Sequence, residues 1–156
     1  MHSLLFDTNA LIYSVCTSAQ YHEDVQQLLR STLTSNGCIY ALASSLNDVY
    51  YVLCRHYLSE PDARSAIRDI AETFDLVDLT GLFVFESIDS DEPDYEDGLI
   101  RVAAEELQVN AIISYDNAAF KSSFIPKMTA QEALETFFRV PQTLTPKPSR
   151  ITQNDT

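Results

Sequence analysis

The stretch LLFDTNALIY, residues 4–13, changes character at a single acid. The apolar run from Ser3 to Phe6 has the length and composition of a short buried strand, and the apolar run from Ala10 to Val15 suits a helix. Between them, Asp7-Thr8-Asn9 supplies three consecutive residues competent to cap that helix. Strand, acid-bearing turn and helix together form the opening unit of a parallel α/β sheet, a fold that binds its ligands at the carboxyl ends of the strands. Asp7 stands at such an end, and Thr8 or Asn9 can cap the helix while Asp7 points into a cleft.

The pattern repeats downstream. A second helix is expected from about Tyr21 to Leu33, with Val25, Leu28, Leu29 and Leu33 on one face, ending near Asn36-Gly37. Cys38 to Leu42 reads as the second strand. Ser44 and Ser45 can cap a helix through about Leu58, with Val49, Val52, Leu53 and Tyr57 as its apolar stripe. Pro61 looks like the first residue of the next helix, followed by a short strand around Leu76 to Leu79 and a short helix from Leu82 to Ile88. A helix from about Tyr95 to Leu107, a strand from Ala111 to Tyr115, a short edge strand from Lys127 to Thr129 and a last helix from Ala130 to Phe138 complete the alternation. The expectation is one α/β domain over residues 1–140. Residues 141–156, with three prolines and a polar remainder, are expected to form a tail without fixed structure.

Acids recur where strands end or helices begin. Asp48 falls in the first turn of the third helix, six acids crowd Asp89 to Asp97, and Asp116 follows the fourth strand nineteen positions after Asp97. Each has a local explanation: Asp48 complements a helix dipole, Asp94 is a good N-cap, and Asp116 can form an Asx-turn with Asn117. Capping does not explain the density of carboxylates around Asp94, Glu96 and Asp97. Like charges gather at a cost that a divalent cation removes.

Composition narrows the choices. The chain has 156 residues, is 46% hydrophobic and carries a net charge of −13. That is the size of one domain with a substantial core. No run is long and apolar enough for a membrane span, and the first residues do not resemble a signal peptide, so a cytoplasmic protein is expected. Cys16, Cys38 and Cys54 form no C-x-x-C pair, which argues for reduced, mostly buried thiols. His2, His22 and His56 are scattered and read as packing or surface residues. The acidity opposes general nucleic-acid affinity, so an RNA substrate would need a local basic patch or a metal, and it also suits a basic inhibitory partner in an acidic pocket.

In order and spacing, LLFDTNALIY, LNDVYYVL, DYEDGLIRVAAEELQVNAIISYDNAAF and IPKMTAQEAL resemble the PIN-domain nucleases, most closely their VapC-like branch, over the chain up to about Phe138. The resemblance implies a PIN-like fold with a central parallel sheet of four to five strands flanked by helices. It implies a metal-dependent ribonuclease, the toxin of a toxin and antitoxin pair, acting as a homodimer with RNA as substrate and an antitoxin protein as partner. Asp7, Asp48, Asp97 and Asp116 take the positions of the catalytic acids. Asp48 stands where the family usually has Glu, and Ala119 stands where it often has a further Asp.

Hard oxygen donors point to Mg²⁺ or Mn²⁺. Asp7, Asp97 and Asp116 are expected to hold one or two ions, with Asp94 and Asp48 contributing directly or through water. Thr8, Asn9 and Ser114 are candidates for orienting those carboxylates, and Tyr50 or Tyr51 for stacking a base. A haloacid dehalogenase-type phosphatase would want a second Asp where Asn9 stands, and a receiver domain would open with an acidic pair. The remaining alternative is a non-catalytic PIN-like RNA- or protein-binding module.

Overall fold

The computed structural model describes residues 1–139. The expected tail, residues 141–156, lies outside the described residues. Twelve elements follow one another among them. They are β1 (Ser3–Phe6), α1 (Thr8–Val15), α2 (His22–Thr34), β2 (Cys38–Leu42), α3 (Ser45–His56), α4 (Glu60–Thr73), β3 (Asp75–Val77), α5 (Gly81–Ile88), α6 (Tyr95–Leu107), β4 (Ala111–Ile113), β5 (Lys127–Met128) and α7 (Ala130–Phe137).

All strand pairings are parallel, in the order β3-β2-β1-β4-β5. The chain moves outward from β1 to one side and then crosses to the other, so the order reverses between β1 and β4. A crevice at the carboxyl ends of the strands opens at such a reversal. β1 is central because both of its faces are apolar. Leu4 and Phe6 enter the core beneath α1–α4 and α7, whereas Leu5 joins Leu99, Ile100 and Ile112 beneath α5 and α6. All three β1 residues are fully buried, as a strand covered on both faces requires.

Helix ends are written in local chemistry. Ser59, Thr80, Asp94 and Thr129 accept hydrogen bonds from the first turns of α4, α5, α6 and α7, and Thr129 with Glu132 forms a complete capping box. Asn36 adopts a left-handed conformation (φ 56°) after α2, and the Gly37 N–H donates to the Thr32 carbonyl at 2.9 Å.

Several sequence expectations shift. Pro61 sits one residue inside α4, which begins at Glu60. β3 and β4 end earlier than their apolar runs, at Val77 and Ile113. Ser44 flanks α3 without a side-chain capping bond. Leu33 and Tyr57, placed on buried stripes from the sequence, are exposed because each lies at or just beyond the end of its helix's packed face. The three cysteines are unpaired, but only Cys16 is fully buried. His2 stacks on Phe137 and His22 Nδ1 pairs with the Tyr13 carbonyl at 2.7 Å, both packing roles.

Candidate active site

Asp7 and Ser114 meet where β1 and β4 end. The Asp7 N–H donates to the Ile113 carbonyl at 3.0 Å, so the sheet ladder itself delivers the acid to this point. The Asp7 carboxylate is buried and doubly engaged. Its Oδ1 accepts from the Thr8 N–H at 2.6 Å and its Oδ2 from the Ser114 hydroxyl at 2.7 Å. Asp7 is therefore itself the cap of α1, contrary to the expectation that Thr8 or Asn9 would free it. One oxygen of the two suffices for capping, which leaves the carboxylate's outer lone pairs for another ligand.

Ser114 is fully buried and serves two acids. Besides donating to Asp7, its Oγ accepts from the Asp116 N–H at 3.1 Å. Asp116 Oδ1 then accepts from the Ala118 and Ala119 N–H groups at 2.7 and 3.2 Å, the Asx-turn anticipated from the sequence. The Lys127 ammonium donates to the Asp116 carbonyl at 2.8 Å, tying this turn to β5. Thr8 has a different role from the cap. Its hydroxyl donates to Glu96 Oε1 at 2.6 Å across 88 positions of sequence.

Asp94 caps α6 by accepting the Asp97 N–H at 2.9 Å. Asp97 follows on the buried side of the first turn. Burial, followed by the charges of Asp94, Asp7, Asp116 and Glu92, pushes its carboxyl up to about 7. Asp7 is raised too, chiefly by burial, against the hydrogen bonds from Ser114 and Thr8. Asp97, Asp7, Asp116 and Asp94 thus lie within one another's fields, although their chain positions span more than a hundred residues. Asp48, exposed on α3, enters through Glu96, whose carboxyl is raised by burial and then by Asp48, Asp7 and Asp94. Asn9 is exposed, and among the described residues its side chain has no hydrogen-bond partner.

The donor set is made of hard oxygens crowded against one another, which fits a hard divalent cation in chemistry and charge. Among the described residues, no three His, Cys, Asp or Glu side chains stand close enough to hold an ion as they are, so the carboxylates would have to close around it.

Comparison with known proteins gives the family and the fold of this chain. The sequence model of the PIN domain matches residues 3–118. The chain belongs to the PIN domain family. Solved structures that share its fold include VapC20 and VapBC2. VapC20 of Mycobacterium tuberculosis, a sarcin-ricin loop cleaving toxin, aligns with a TM-score of 0.61 at 11% identity, covering 72% of this chain and 89% of its own. VapBC2 of Rickettsia felis, bound to a DNA fragment from their promoter, aligns with a TM-score of 0.62 at 13% identity, covering 81% and 98%. No curated protein matches the sequence.

Two side chains of this PIN domain, Glu92 and Arg101, were not singled out from the sequence, and Glu96 was named only as part of the acidic cluster, without a role. Glu96 bridges Thr8 and the field of Asp48, and its place inside the acidic run was the available signal. Glu92 lies in the same run, but nothing local marked its bond to the Phe120 N–H or that of Arg101 to the Ser122 carbonyl, both in a distant turn. Ala119 is buried, and besides Asp116, which accepts its N–H, the carboxylate of Glu92 reaches its turn, with Oε2 accepting the Phe120 N–H at 2.7 Å.

Proposed function

We propose that this PIN domain is a Mg²⁺- or Mn²⁺-dependent endoribonuclease, the toxin of a cytoplasmic toxin and antitoxin pair. The reading is supported above all by the gathering of Asp7, Asp94, Asp97 and Asp116 at the sheet's reversal point, where burial and then the charges of its neighbours push the Asp97 carboxyl up to about 7. Asp7, Asp97 and Asp116 would hold the ion, with Asp94 at its edge and Asp48 acting through Glu96 or water. A bound divalent cation supplies an activated water and charge stabilisation for phosphodiester hydrolysis. The chain's own residues prepare that chemistry. Ser114 fixes the Asp7 and Asp116 loops together, Thr8 holds Glu96, and Lys127 steadies the Asp116 turn.

Structured RNA is the first substrate to test, because the fold neighbour VapC20 is a sarcin-ricin loop cleaving toxin. The net charge of −13 favours an antitoxin that inserts a basic segment into the acidic crevice. A second copy of the chain would find an apolar surface on α5, where Leu82, Phe85 and Ile88 are exposed on one side of the helix. Purified protein should cleave RNA with Mn²⁺, and Asp7→Asn or Asp97→Asn should lower the rate at least a hundredfold without unfolding the protein. Absence of cleavage, together with no thermal shift on adding Mn²⁺ or Mg²⁺, would end the enzyme reading. The exposure of Asp48 and the missing acid at Ala119 favour the second reading, a non-catalytic binding module. A Mn²⁺-induced shift and RNA binding without cleavage by the wild-type protein would support it.

A further inference from the structure

Arg101 lies one helical turn beyond Asp97, behind the acid crevice, and its guanidinium is the junction of three chain segments. Nη1 donates to Asp91 Oδ1 at 2.6 Å and to Glu92 Oε1 at 3.2 Å, Nε to Glu105 Oε1 at 3.0 Å, and Nη2 to the Ser122 carbonyl at 3.0 Å. The side chain is only 17% exposed, and that of Glu92 only 2%. Glu92 passes the connection onward through its bond to the Phe120 N–H, at a residue whose backbone is left-handed (φ 64°) and whose ring is buried. Ser123 Oγ also pairs with Glu105 Oε1 and accepts from the Ile125 N–H.

These segments carry the acids. The chain from Asp89 to Asp94 bears the α6 cap, α6 bears Asp97, and the loop from Ser114 to Ile125 bears Asp116. Asp116 is held at one end of its turn by Ser114 and its own Asx bonds, whereas Glu92 holds the other end of that turn at Phe120. Mutual repulsion drives the carboxylates apart when no cation lies between them. A guanidinium with a fixed fork of donors resists that splaying from behind, which a single rotatable ammonium does less well. An exposed ion pair, such as that with the largely exposed Asp91, would matter little, but the pair with Glu92 is mostly buried and satisfied on several sides.

We propose that Arg101, acting through Glu92, is a positioning residue that sets the separation between the Asp94/Asp97 side of the crevice and the Asp116 side, and so the affinity of the crevice for a divalent cation. The inference rests on the nuclease reading and deepens it. The test compares wild type with Arg101→Met, Arg101→Lys and Glu92→Gln, each checked for native circular dichroism. Mn²⁺ binding is followed by calorimetry, cleavage of an RNA oligonucleotide by kinetics, and the Phe120 amide by hydrogen exchange.

Arg101→Met is expected to raise the half-saturating Mn²⁺ concentration at least tenfold and to lower kcat with little change in KM. It should also speed exchange at Phe120 at least tenfold, and Arg101→Lys should recover part of each effect. Glu92→Gln keeps the shape and loses a charge and an acceptor, so it should weaken Mn²⁺ binding and also speed exchange at Phe120. That exchange, which loss of charge alone would not move, carries the test if Arg101→Met does not fold. Wild-type Mn²⁺ binding that Arg101→Met leaves within twofold, or failing that Phe120 exchange that Glu92→Gln leaves within twofold, overturns the positioning role alone. A wild-type protein that binds no Mn²⁺ overturns this role and the nuclease reading together.

Discussion

Asp97 concentrates the electrostatic cost of the crevice on one side chain. Its carboxyl, ordinarily near 3.8, is pushed up to about 7 by burial and by the charges of Asp94, Asp7, Asp116 and Glu92. In the unfolded chain it loses its proton near its ordinary value. Between about 4 and 7 the folded protein therefore holds a proton that the unfolded chain has released, and stability falls as pH rises through that window. Asp7 and Glu96 are raised as well and act in the same direction. In the presence of EDTA, the melting temperature should drop between pH 5 and pH 8. Relief of general self-repulsion on acidification would produce a similar slope, so the decisive comparison is with Asp97→Asn. That variant should melt higher than wild type at pH 8 and show a shallower pH dependence, while losing the Mn²⁺-induced shift. Equal slopes for the two proteins would show that Asp97 is not the group that titrates.

At the scale of elements, the connection between α5 and α6 decides where Asp97 and Asp94 stand. Gly98 lets the two helices approach. A Cβ there would meet Ser90 Oγ at 2.7 Å, the Ser87 carbonyl at 3.1 Å and Ser87 Cβ at 3.2 Å. Ser90 can rotate away, but the Ser87 carbonyl belongs to the α5 backbone. Alanine improves helix propensity by up to about 1 kcal/mol, whereas forcing extra volume into a packed contact costs about 1–3 kcal/mol. Gly98→Ala should thus lower the urea midpoint, and a raised midpoint would mean that α5 yields freely. The elements themselves were largely legible beforehand, because apolar periodicity, Asp94 and the Asn36-Gly37 stop are local signals. α6 begins and ends where its pattern said. The end of β4 was overextended because Tyr115 looks like a continuation of its apolar run. Ser114 still donates its N–H to the Met128 carbonyl at 3.0 Å while its hydroxyl binds Asp7, and Tyr115 turns away to stack on Tyr21 at 4.3 Å. Sequence pattern marks apolar residues without telling which of them pair.

For the whole molecule, chain order and the parallel sheet made the meeting of Asp7, Asp97 and Asp116 foreseeable, since all three follow or open elements at one end of it. The stitches between distant segments were not foreseeable. Thr8 to Glu96 and Glu92 to Phe120 depend on how loops settle after the sheet forms. The same limit applies to the outer surface, where α5 turns Phe83 inward and leaves Leu82 60%, Phe85 72% and Ile88 61% exposed. Three large apolar side chains recurring along one helix face form the kind of patch that soluble proteins commonly cover with a partner. A two-fold dimer would bring the same patch from each copy together and give α5 the cover that it lacks as a single chain. Sedimentation velocity at tens of micromolar should then give the mass of two chains for wild type. Phe85→Lys should shift it to one chain and change the melting temperature of the monomer little, because that ring contributes little to the monomer's core. A wild-type protein that sediments as one chain, or a Phe85→Lys variant that still pairs, would move the interface elsewhere and leave the α5 face for a different protein partner.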